Sequence, residues 1–352
     1  MATAVVEAVP DDLCDFLEEF GSGGNDAWTT ATAAAADDGE GGFRPVPHEA
    51  DVCAEDWTAT AARSLAHNGF CALRSSAGES LVPAALCERC RAAADQRLEK
   101  LLACARARGL NPRREKLLFR DVCSRTAGGL RYDMRLPWHA ADDTGRAALG
   151  SASLADADGE AAAAWVALRD AAEQWAAPVL RASGLMRAEA DDAEARGDAD
   201  AHEIDSIGCV TSLPGAPDQH FHPDGTARGL VNCFVPLLDV SAENGSTELR
   251  PGSHCWEDSP WGPVQRWDER TTQPVAPALH AGELLLFDFR VLHRGRANHS
   301  GAPRQVGYVL FARRGVHDTH NFAAEYDTLL RDEAGEAAAC CEVGSGHTST
   351  PC

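Results

Sequence analysis

The sequence predicts a mainly β domain with flanking α, in which a double-stranded β-helix (a jelly roll) is covered by helices from the N-terminal half. Three observations carry this reading. Between residues 204 and 314, short apolar runs alternate with the turn signals Pro214-Gly215, Asp224-Gly225, Glu243-Asn244-Gly245, Pro251-Gly252 and Ala281-Gly282. Many short strands at that spacing mark a sandwich or jelly roll. Upstream, apolar residues recur at helical spacing instead. The chain is also 44% apolar over 352 residues, enough for one sizeable core.

In chain order, residues 1–45 are rich in Ala, Gly, Asp and Glu, and are expected to be an acidic low-complexity segment without fixed structure. Asp11–Phe20 is its one candidate helix. Ala54–Ala66 carries Trp57, Ala61 and Leu65 on one helical face, and His67-Asn68-Gly69 follows as a stop. Gly69–Arg74 reads as a short strand. Ser80 is a candidate cap for a long helix with Pro83 in its first turn and Gly109 near its end. Val82, Leu86, Leu98, Leu101 and Leu102 would pack that helix onto the domain body. Leu130–Leu136 has strand character, and Ala161–Leu180 reads as an amphipathic helix. The acidic stretch 187–203 is expected to be a surface insertion.

Strands are then expected at Ile204–Leu213, His220–Asp224, Leu230–Val240, Ser246–Arg250, Val275–Leu279, Glu283–Phe289 and Arg304–Arg313. These boundaries give one domain over residues 46–330, with its β-helix core at about 204–314 and a loose tail at 331–352. No internal repeat is visible.

The net charge of −22 is unevenly placed. Residues 1–43 carry ten acids and no Lys or Arg, residues 187–205 eight acids against two Arg, and residues 331–352 four acids against one. The body is therefore nearly neutral. Nucleic acid is not expected as a partner, because phosphate binding needs a basic face. No run of about 18 apolar residues exists, so no membrane span is expected. No signal or transit segment is recognised at the N-terminus, which points to the cytoplasm. Most of the 13 cysteines are then reduced, small hydrophobes.

The chemistry concentrates in Gln219-His220-Phe221-His222-Pro223-Asp224-Gly225. Residues two apart on a strand share a face, so His222 and Asp224 can point together into a barrel mouth. His293 can add a third ligand from a neighbouring strand. Two imidazoles and one carboxylate on one side of a metal suit Fe(II) and leave positions open. An H-x-D tripeptide alone is weak, since a chain with 13 histidines can carry one by chance. Arg304 adds weight. It opens an apolar strand (Val306, Tyr308, Leu310), where an inward charge is costly unless it meets an anion. A guanidinium can grip a carboxylate through two parallel bonds. His220 lies on the same predicted face, so His220 with His222 is a second candidate pair; the H-x-D spacing favours His222.

At these residues the chain resembles the phytanoyl-CoA dioxygenase (PhyH) family of Fe(II)/2-oxoglutarate-dependent oxygenases. The likeness runs through Gln219-x-x-His222-x-Asp224-Gly225, Asn244-Gly245-Ser246-Thr247-Glu248-Leu249, Pro251-Gly252-Ser253-His254, Gly282-Glu283, His293-x-Gly295-x-x-Asn298-x-Ser300 and Arg304. It implies a double-stranded β-helix, with His222, Asp224 and His293 as catalytic iron ligands. It also implies Arg304 as the anchor of the far carboxylate of 2-oxoglutarate, with O2 as the other co-substrate and succinate and CO2 released. The acidic ligand Asp224 favours hydroxylation over halogenation. Gly295 departs from the pattern, since relatives often carry a co-substrate-holding Ser two residues after the distal His.

Gln219 is a candidate cofactor or substrate contact, with a strand-edge polar group as its other reading. His254 reads as a structural hydrogen-bonding residue. Arg131, Tyr132, Met134, Arg135 and Trp138 are candidates to line a small-molecule pocket, with ordinary sheet packing as the alternative. Two other functions compete: a catalytically silent jelly-roll sensor, and a cupin-type metalloenzyme that does not use 2-oxoglutarate. Cys87-x-x-Cys90 suggests zinc only weakly, having no second pair. A monomer is compatible with all of these readings.

Overall fold

The computed structural model describes residues 44–126, 128–136, 159–187, 202–255, 273–323 and 325–330. The expected helix Asp11–Phe20, most of the 187–203 segment, Trp138 and the 331–352 tail lie outside these residues. The elements are, in order, β1 (Glu49–Asp51), α1 (Trp57–Asn68), β2 (Phe70–Arg74), α2 (Ala84–Ala107), β3 (Val122–Ser124), β4 (Arg131–Leu136), α3 (Gly159–Ser183), β5 (His202–Ser212), β6 (Leu230–Pro236), β7 (Thr247–Leu249), a 3-10 turn (Ser253–Cys255), β8 (Leu284–Asp288), β9 (His293–Gly295) and β10 (Arg304–Arg313).

Eight strands form the major sheet in the order β1-β2-β8-β6-β10-β5-β4-β3, and β7 pairs with β9 in a minor sheet. Single bridges widen the minor layer, joining Val275 to Leu249 and His222 to His293. Because Leu249 also pairs with His293, the four residues Val275, Leu249, His293 and His222 form one transverse row. This is the double-stranded β-helix, with its two layers facing each other.

Period-two alternation divides the major sheet into two cores. Cys71, Met134, Ile207, Cys233, Leu286 and Phe311 turn outward and meet Leu65, Leu101, Trp165 and Leu180 of the three helices. Phe70, Leu285, Phe287 and Val306 turn inward and meet Leu249 and Val291. A fully buried phenylalanine such as Phe287 or Phe311 contributes about 1.5–3 kcal/mol relative to leaving it exposed. The helices thus hold the sheet from outside and leave its inner face free for chemistry.

Several expectations change. Ser80 does not cap α2, which begins at Ala84 directly after Pro83 with no side-chain cap; proline fixes φ and has no N–H, so the first turn forms beyond it. His220–Asp224 is not a strand and makes one bridge, at His222. Pro223 removes a ladder donor there. Val275–Leu279 also makes only isolated bridges, with Pro277 at its centre. The run Leu230–Val240 ends its ladder at Pro236. Among the proposed pocket residues, Tyr132 and Met134 turn outward into the helix-side core, because they alternate with Arg131, Asp133 and Arg135 along β4. No helix among the described residues is long and apolar enough to cross a membrane.

Candidate metal centre

His222 N–H donates to the His293 carbonyl at 3.0 Å, and His293 N–H returns a bond to the His222 carbonyl at 2.9 Å. This closed pair of bonds brings the two imidazoles to 4.8 Å between centroids. Asp224 follows two residues later, where its own N–H is held by the Phe289 carbonyl at 3.0 Å. One ligand atom from each of His222, Asp224 and His293 lies within 4.8 Å of the other two. His293 Nε2 is 3.6 Å from Asp224 Oδ1.

The protonation pattern suits a metal. His222 Nδ1 lies 2.8 Å from the His220 carbonyl, and His293 Nδ1 lies 3.0 Å from the Val291 carbonyl. A carbonyl only accepts, so both Nδ1 atoms carry the proton and both Nε2 lone pairs are free to ligate. Burial lowers His222 below its ordinary range, with His293 adding to the effect, and pushes His293 down to about 4. Both rings are therefore neutral at neutral pH, as metal ligation requires. Burial raises Asp224 instead. Its Oδ2 accepts a 2.6 Å bond from the Asn232 amide, leaving Oδ1 to face His293. Two nitrogens and one oxygen so arranged fit a divalent iron and leave part of its coordination sphere open.

Arg304 sits on the same inner face at the start of β10 and is 2% exposed. It lines a cavity with Phe234, Thr247, Leu285 and Val306. Phe234, which lines the cavity, packs edge-on against Phe287, whose ring lies 4.9 Å from that of His293. Arg304 donates through Nη1 to the Gly245 carbonyl and through Nη2 to Ser212 Oγ at 2.6 Å. Its Nε–H has no acceptor among the described residues. Gly245 is required where it stands: its φ is +82°, and an added Cβ would meet the carbonyls of Arg296 and Ala297 at 2.4 Å.

The remaining sequence candidates fall into place around these four. Gln219 accepts the Gly295 N–H at 3.0 Å and donates to the Arg125 carbonyl at 3.2 Å, so its amide ties β9 to the end of β3. His220 is exposed and contributes its carbonyl. His254 is buried, with Nε2 3.1 Å from the Ala66 carbonyl. Cys87 and Cys90 are buried in α2, where burial pushes their thiols up to about 11 and about 12. Cys71, Cys87, Cys90, Cys123, Cys209 and Cys233 are buried free thiols.

Sequence reasoning missed Asn232, Ser212 and a polar wall beside the triad. In that wall Arg125 holds Asp133 Oδ2 through two bonds of 2.7 and 3.1 Å, and the Tyr308 hydroxyl donates to Oδ1 at 3.1 Å. Arg125 and Arg135 lie over the Phe322 ring. Asn232 left a signal, being a polar residue within the apolar run Leu230–Pro236; Ser212 left none.

A family model, phytanoyl-CoA dioxygenase (PhyH), matches residues 65–306. The chain belongs to the PhyH family. This PhyH chain is similar to Dioxygenase aneA of Aspergillus aculeatus, 35% identical over 115 residues, which are 32% of this chain and 36% of that protein. It is similar to Dioxygenase trt7 of Aspergillus terreus at 29% identity over 117 residues, covering 30% and 39% of the two chains. The matched stretch thus spans little more than a third of these relatives' lengths. Among solved structures, the non-heme alpha ketoglutarate dependent epimerase SnoN from nogalamycin biosynthesis aligns over 78% of this chain and 91% of its own, at 14% identity and a TM-score of 0.45.

Proposed function

We propose that this PhyH chain is an Fe(II)/2-oxoglutarate-dependent dioxygenase that hydroxylates a small-molecule or acyl substrate. The observation that carries the reading is a buried, incompletely bonded Arg304 in a cavity whose wall residue Phe234 contacts Phe287 and through it His293, of a His-Asp-His group with both Nε2 lone pairs free. A buried guanidinium without a carboxylate partner is costly, and an incoming carboxylate removes that cost. His222, Asp224 and His293 would hold Fe(II), and Arg304 would hold the far end of 2-oxoglutarate. The iron with 2-oxoglutarate and O2 supplies an oxidative decarboxylation, giving succinate and CO2 and one oxygen atom for the substrate.

The protein's own part is placement. Asn232 keeps Asp224 turned so that one carboxylate oxygen faces His293. The backbone carbonyls of His220 and Val291 fix both ligand tautomers. Phe234 and Phe287 pack apolar rings against the cavity and against His293. Arg125, Asp133 and Tyr308 bond one another and present a polar wall without an unpaired charge. Asp224 supports hydroxylation over halogenation. The test is succinate release from 2-oxoglutarate by the Fe(II)-loaded protein. It is expected to need both additions and to vanish in Arg304→Met. Succinate release by Arg304→Met equal to that of the wild type, or none from the wild type with small-molecule extracts, would sink the reading.

A further inference from the structure

The minor layer carries a second row of side chains on its outer face. His222, His293 and Leu249 form the inward row. Their chain neighbours Phe221, Arg294 and Arg250 alternate to the other side. The antiparallel bridge of His222 to His293 places Phe221 opposite Arg294, and the β7 ladder places Glu248 on the far side of that arginine. Glu248 holds Arg294 there, Nε to Oε2 at 2.5 Å, and Asp218 Oδ2 lies 3.7 Å from its Nη1. The Arg294 Cζ lies over the Phe221 ring at 4.6 Å from its centroid, and the Arg250 Cζ at 4.2 Å. Two guanidiniums therefore share one half-buried aromatic ring.

This stack resolves a local conflict. With His222 turned inward, alternation puts an imidazole inside and a phenylalanine outside, against the hydrophobic preference of both. A slip of one residue would reverse the two. The segment has no continuous ladder to resist that slip. Beyond the His222 bridge, its main chain meets β9 through the Gln219 N–H, which donates to the Gly295 carbonyl at 3.0 Å. Pro223 has no N–H to add. A guanidinium is attracted to an aromatic face and keeps its own edge in water, so Phe221 has partners outside that an inward ring would lose.

We infer that Phe221 is a positioning residue for the metal centre: its stack with Arg250 and Arg294 holds the segment in the register that turns His222 toward Asp224 and His293 before any metal binds. The inference rests on the ligand set proposed above and deepens it.

The test is Mn(II) titration of the metal-free full chain. Phe221→Leu keeps an apolar side chain but offers the guanidiniums no ring. Part of the population then turns the leucine inward, and the apparent affinity falls with the fraction left competent, by about ten-fold. Phe221→Ser loses the stack and also the apolar side chain that competes for the inside, so it is expected to stay within about three-fold of wild type. Ordinary loss of packing gives the opposite order, with serine worse than leucine. Phe221→Tyr, which keeps the ring, is expected to bind as wild type. Arg250→Gln combined with Arg294→Gln frees Phe221 without altering it and is expected to match the leucine variant; the same pair placed on Phe221→Ser is expected to add no loss. These arginine variants read the same contrast if the leucine variant folds poorly. Leucine binding as tightly as serine, or more tightly, overturns the inference, as does an equal loss from the arginine pair in both backgrounds. If His222→Ala loses Mn(II) while the leucine and arginine variants keep it, only this inference fails; if the wild type binds Mn(II) no better than His222→Ala, the proposed function fails with it.

Discussion

His222 and His293 are locked together by two reciprocal backbone hydrogen bonds of 3.0 and 2.9 Å, so the main chain sets the spacing of the two rings. Either ring can therefore be cut back without opening the minor layer. His222→Ala, His293→Ala and Asp224→Ala are each expected to lose Mn(II) affinity by at least about 100-fold while the metal-free proteins melt within a few degrees of wild type. Adding a chelator should lower the melting temperature of metal-loaded wild type and leave the variants unmoved. A variant that still gains stability from Mn(II) would remove that residue from the ligand set.

Asn232 holds the second oxygen of Asp224 at 2.6 Å from within an apolar strand. Asn232→Ala frees that carboxylate to turn. Metal affinity is expected to fall about 10- to 100-fold, the usual cost of losing an outer partner of a ligand. Unchanged affinity in a Mn(II) titration would show that the backbone alone orients Asp224.

Arg304 combines burial with an unsatisfied Nε–H. Arg304→Met keeps most of the volume and removes the charge. Replacing buried charges with apolar residues of like volume is often neutral or stabilising, so the metal-free variant should be at least as stable as wild type in urea. The same variant should lose 2-oxoglutarate binding and keep metal. A strongly destabilised Arg304→Met would mark the arginine as a structural tie between Gly245 and Ser212 instead.

A Cβ at Gly295 would stand 2.8 Å from Gln219 Oε1 and 3.1 Å from Arg131 Cζ, so both side chains would have to shift to admit it. Gly295→Ser is expected to destabilise the fold by about 1–3 kcal/mol in a denaturant titration, as overpacking does. A neutral or stabilised Gly295→Ser would mean that Arg131 can withdraw from its carbonyl partners.

His254 is lowered mainly by burial. Its folded pKa lies below the unfolded value of about 6.5, so its contribution is complete above that pH and is lost as pH falls below it. The slope from one such group is at most about 1.4 kcal/mol per pH unit. In urea titrations of the metal-free protein at pH 7.5, 6 and 5, the stability gap between wild type and His254→Gln should move in favour of the variant as the pH drops. A gap that stays constant would show that His254 titrates alike in both states.

Much of the catalytic logic was legible because it is local or strongly patterned. Turn signals and alternation located Arg304–Arg313 residue for residue as β10, and the H-x-D spacing with His293 marked the three residues whose ligand atoms converge. What was not legible depends on pairing. β1, β3 and β9 are three residues long, too short to show a period. Which residues of β4 face the barrel follows from its register with β5, which put Arg131, Asp133 and Arg135 inside and Tyr132 and Met134 outside.

The sequence by itself determined the kind of fold, the metal-binding set as a candidate and the one cation whose burial demands an anion. These follow from composition, period and the high cost of burying charge. Only the tertiary structure decided how His222 and Asp224 meet without lying on a strand, and that a bridge to His293 does this work. It alone placed Ser212 between Arg304 and Arg131, since hydrogen-bond partners 81 and 92 residues apart are chosen by strand order and register, which no local pattern encodes.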